Sequence, residues 1–143
     1  MEANIQRYKD AVTKLIIAYA QGKVSHSGHT GCAVTHILGG NMSWMNVIHP
    51  RTGSIDHQFK ITNPKDFAKG LNIINKSGFS IEEIIRLEAG FSGRQADEGG
   101  ALISTFDDSN DPDCNLGMNG VLSVLSELNP PIHLEKAAAN VLV

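Results

Sequence analysis

Gly78-Phe79-Ser80 carries a stop for one amphipathic stretch and a start for the next. The first stretch opens at Asn63-Pro64, where asparagine suits the cap and proline suits a first turn that has no amide partner to lose. Phe67, Leu71 and Ile74 then recur on one face, and Gly78 supplies the left-handed residue at which helices end. Ser80 and Glu83 have capping-box spacing, and Phe79 can staple to Ile84. Ile81, Ile84, Ile85, Leu87 and Phe91 follow as a core face. With only Gly78 and Phe79 between them, the two helices must turn back as a tight corner or hairpin.

Further helices assemble around that corner. Ile5, Tyr8, Val12, Leu15, Ile16 and Tyr19 repeat at helical spacing and predict a helix over residues 4–22, closed by Gly22. A short, largely apolar helix is expected at about 31–39 behind a Thr30 cap, with Cys32, Ala33, Val34, Ile37 and Leu38 buried. Met118, Val121, Leu122, Leu125 and Leu128 mark a helix over about 115–128, and Gly117 and Gly120 within it imply close backbone packing against a neighbour. The tail from Ile132 to Val143, after Pro130 and Pro131, is alanine-rich and helix-competent.

The period changes between residues 43 and 61. Ile55, His57, Phe59 and Ile61 alternate with Asp56, Gln58, Lys60 and Thr62, the pattern of a half-buried strand. Trp44 to Ile48 is β-rich and can pair with it across a turn at Pro50, Arg51, Thr52 and Gly53. The expected fold class is therefore α+β: a mainly helical domain of five or six helices with one antiparallel hairpin at about 43–61. The segment 92–114 is a glycine- and acid-rich loop, in which Ala101 to Phe106 forms either a helical turn or a strand.

The chain has 143 residues, 41% hydrophobic and 19% charged, which fits one folded domain. Its net charge of −3 leaves no basic surplus for phosphates, so general nucleic-acid binding is not expected. No apolar run reaches the ~20 residues of a membrane span, and the polar start lacks a signal-peptide core. A cytoplasmic protein with two free thiols, Cys32 and Cys114, is the resulting expectation.

Gly31-Cys32-Ala33-Val34, Gly78-Phe79-Ser80-Ile81-Glu82-Glu83, Arg86-Leu87-Glu88-Ala89-Gly90-Phe91 and Met118-Asn119-Gly120-Val121-Leu122 occur in that order. The series resembles an uncharacterised family of small bacterial and phage proteins. That family has a Cys-Ala-Val-Gly segment, a Thr-Gly-Tyr-Ser-like helix start, an Ile-Glu-x-x-Phe stretch and an Asn-Gly-Leu helix. The likeness spans roughly residues 31–128. Thr35 departs from it where the family has glycine, and so does Gly90-Phe91-Ser92-Gly93. The resemblance implies a helix-dominated fold with one hairpin and names no activity.

Three constellations carry chemistry. His26, His29, Cys32 and His36 offer nitrogen and sulfur at spacings that suit a zinc tetrahedron, although packed into eleven residues rather than two separated pairs. Cys32 at a helix start, with His57 as base, has the layout of a cysteine nucleophile, but its neighbours Ala33 and Val34 suit a buried thiol equally well. Asp107, Ser109 and Asp111 alternate as calcium ligands do, yet Pro112 and Met118 stand where that loop needs glycine and glutamate. Glu82, Glu83 and Glu88 read as solvated helix carboxylates. The expectation is a binding or interaction module with no cofactor and no catalysis. Its alternatives are a zinc- or thiol-dependent enzyme centred on Cys32, and a homo-oligomer docked through residues 131–143.

Overall fold

The computed structural model describes residues 2–26, 32–48, 54–96, 102–104, 106 and 110–128. The expected helical corner is formed. Helices α4 (Pro64–Ser77) and α5 (Ile81–Ser92) meet at Gly78, whose φ of 84° is the left-handed turn that glycine tolerates. The Ser80 hydroxyl accepts from the Glu83 amide, and the Glu83 carboxylate accepts from the Ser80 amide at 2.9 Å, completing the capping box. Phe79 and Ile84 are both buried in the core. Asn63 precedes α4 as expected, but its side chain donates to Thr62 Oγ1 instead of capping the helix.

Helix α1 (Glu2–Ala20) lies along this corner. Its Ala11, Leu15 and Ala18 enter the core. Arg7 fastens its first half to the corner: the guanidinium grips both Glu83 oxygens at 2.8 and 2.9 Å, donates to the Gly78 carbonyl, and lies 4.7 Å over the Phe79 ring. Such a fork-to-fork pair is stronger than an ordinary surface ion pair because both charges are partly buried and the geometry is bidentate. Helix α2 (Ala33–Ile37) is only five residues long and is buried against α1 and α5. Helix α6 (Asn115–Leu128) packs on α5 and buries Met118, Val121 and Leu125.

The segment 43–61 corrects the expected fold class. The chain is mainly helical and not α+β, and the hairpin is not formed. Met42–Asn46 is a 3-10 helix capped by the Asn41 side chain, and His57–Thr62 is helix α3, whose Phe59 amide donates to the Asp56 carboxylate at 3.0 Å. All that remains of strand pairing there is an isolated bridge between Ile48 and Ile55, with residues 49–53 outside the described set. The reason is a degeneracy of spacing. His57 and Ile61 are four residues apart, a separation that keeps one face in a helix as well as in a strand. Ile61 distinguishes the two: a strand would bury it beside Phe59, and the helix leaves it 80% exposed.

Strand β1 (Arg94–Ala96) does pair with β2 (Leu102–Ser104) in an antiparallel ladder that sets Gln95 opposite Ile103. With three residues a side, it trims the end of α5 and forms no sheet layer. The tail 131–143 and the expected Thr30 cap lie outside the described residues.

Candidate functional site

Two buried carboxyl groups, Glu88 and Asp111, lie where α2, the end of α5 and the start of α6 meet. Cys32 caps α2 with extended backbone, and its thiol donates to Glu88 Oε2 at 3.2 Å. Ser92, one turn on from Glu88, donates to Oε1 at 2.8 Å. Glu88 is buried. Burial raises its carboxyl above the usual carboxylate range, and this outweighs the Cys32 and Ser92 hydrogen bonds and the nearby Arg94 and His26 side chains. Burial first, and Glu88 second once it ionises, push the Cys32 thiol far up, so no thiolate forms there.

Beside this cluster, His26 Nε2 donates to Asp111 Oδ2 at 2.8 Å, with both side chains buried. The imidazole stacks on Phe91 at 4.4 Å and 28° and meets Phe106 edge-on at 5.9 Å. Asp111 also accepts from the Leu116 and Gly117 amides, each at 2.8 Å. Those are orphan donors of the first turn of α6, so the carboxylate caps the helix and suits its positive end. Burial alone would raise Asp111, but the His26 bond and the two amides prevail and hold it below the usual range. A side chain at Gly117 would strike His26 and Phe91 at 2.9 Å, which explains the glycine. The chain enters α6 through Cys114, whose φ is 59°.

The sequence-derived candidates are dispersed. His36 donates to the Lys23 carbonyl at 3.1 Å, Cys32 faces Glu88 and His26 faces Asp111. His29 lies outside the described residues. Three ligands turned to three different partners do not fit a zinc tetrahedron, and among the described residues no three His, Cys, Asp or Glu side chains gather to hold a metal ion. His57 sits exposed at the first position of α3, while Cys32 is enclosed between α2 and α5. Within the acidic loop, Asp111 is a helix cap, and Asp107 to Ser109 lie outside the described residues.

Glu88 and Asp111 take places in the cluster that differ from those their sequence suggests. Glu88 reads as a solvated carboxylate, yet it belongs to the series Ile81, Ile84, Glu88, Phe91, which keeps one helix face. An acid within an apolar stripe was the available signal. Asp111 had none, because its partners lie at His26, far along the chain, and in backbone amides. No family model, curated protein or solved structure matches the chain. Among the described residues, no helix is long and apolar enough to cross a membrane.

Proposed function

We propose that this chain is a small cytoplasmic interaction module without catalysis of its own, which binds a second copy of itself through residues 131–143. The supporting observation is an apolar exposure on α1: Ile16 and Ile17 are 50% and 52% exposed on a helix whose inner face is already satisfied. Tyr19 bonds to Asn115, which brings the end of α1 to the start of α6, where Leu116 is also exposed. Several large apolar side chains exposed on two helices that meet end to start favour a protein partner. The tail supplies matching chemistry in Ile132, Leu134, Val141 and Leu142. The reactive groups, by contrast, face one another in the interior, which argues against turnover.

Light scattering of the full chain and of a chain ending at Asn129 tests this. A dimer that the truncation converts to a monomer, and that Ile16→Lys with Ile17→Lys weakens, is the expected result. A full chain that is monomeric throughout a concentration series overturns the reading.

A further inference from the structure

We propose that Glu88, Cys32 and Ser92 form a proton-linked latch that fastens α2 to α5 and opens with release of the Glu88 proton. The geometry is a carboxyl enclosed at a helix–helix contact, with a thiol of α2 on one oxygen at 3.2 Å and a hydroxyl of α5 on the other at 2.8 Å. Both donors are neutral. A buried carboxylate held by two neutral donors is poorly compensated, whereas the protonated carboxyl fits the same pocket with one added donor. The other titratable or charged groups facing it are Arg94 on β1 and His26 in the loop after α1, the latter already bound to Asp111 at the start of α6. Burial outweighs all of them, so the closed latch keeps its proton under conditions where an exposed glutamate would not.

Helix α2 is the element this would move. A five-residue helix has no stability of its own and depends on its tertiary ties. Cys32 is its cap and its tie to α5. Opening turns Glu88 to water, where it ionises. The opening equilibrium therefore grows as pH rises from the ordinary glutamate range and stops growing once Glu88 is ionised in the closed form as well.

The test is amide exchange of residues 34–38 by NMR, from about pH 5 to about pH 8, with the Glu88 carboxyl carbon titrated in the same samples. After correction for intrinsic exchange, the opening equilibrium should rise about tenfold per pH unit and level off at the Glu88 midpoint. Glu88→Gln, which keeps the shape and a donor, should remove the slope. A pH-independent α2 in the wild type overturns the latch, and so does a slope that survives in Glu88→Gln. Should that variant fail to fold, the presence or absence of a plateau at the wild-type Glu88 midpoint decides alone.

Discussion

Gly120 of α6 rests against the backbone of Gly90 of α5. A Cβ on Gly90 would meet the Gly120 carbonyl at 2.8 Å and Val124 at 3.0 Å, and one on Gly120 would drive into the Gly90 carbonyl oxygen. The crossing is thus set by backbone contact, and helix axes approach more closely than ordinary side chains permit. That closeness delivers Phe91 to Gly117 and so builds the shelf on which His26 stacks.

Gly120→Ala should therefore destabilise the fold. Alanine gains up to about 1 kcal/mol in helix propensity. Forcing two helices apart costs about 1–3 kcal/mol, and a carbonyl cannot swing aside as a flexible side chain can. A net loss of roughly 1–2 kcal/mol is expected in urea denaturation. Ser123→Ala on the exposed side of α6 should stay within about 0.5 kcal/mol of the wild type.

What the sequence made legible was local. The Gly78 stop, the Ser80–Glu83 capping box and the packing role of Gly120 are each written within a few residues, and each appears in the fold. The failures have a common cause. His57 and Ile61 satisfy two periods at once, and the choice fell to the Asp56 cap and to Ile61, whose exposure no local rule forbids. The polar cluster was hidden more deeply. Cys32 and His36 look like a ligand pair because they share a helix face in sequence, but Glu88 and Lys23 claim them from other elements. Tertiary partners of this kind leave no spacing signal.

Asp111 anchors the start of α6, and its removal tests the cluster from the opposite side to Glu88. Asp111→Ala strands two helix-terminal amides and leaves His26 buried without its carboxylate, an expected loss of about 2–4 kcal/mol. The pH dependence has a definite sign. The folded-state value is depressed, so the contribution is fully present above the unfolded aspartate value of about 3.9 and is lost as pH falls through the lower folded value. Asp111→Asn should flatten that acid limb in thermal melts, while the wild type loses stability across it.

Thr35 and Trp44 give a spectroscopic handle. The indole Nε1 donates to the Thr35 hydroxyl at 2.9 Å, and both residues are buried. Thr35→Val keeps the volume and removes the acceptor, leaving the indole N–H unsatisfied at a cost of about 1–3 kcal/mol. Trp44 is the single tryptophan, so its emission reports the site directly. The variant should retain the blue-shifted emission of a buried indole and melt earlier; emission shifted to the red in the folded variant would mean that the hydroxyl also holds Trp44 in place.

Thiol chemistry separates the interaction module from the cysteine enzyme. Cys32 is buried, its proton is held chiefly by that burial, and α2 is too short to supply much of a helix dipole. Cys114 is buried too, with its sulfur 3.6 Å from the Val24 carbonyl. Iodoacetamide should label both at least about a hundredfold more slowly in the native protein than in denaturant. Raising the reagent concentration should eventually saturate the rate, because opening of the fold then becomes limiting. Modification of Cys32 at the pace of a free thiol, without saturation, would show an accessible sulfur and return the nucleophile to consideration.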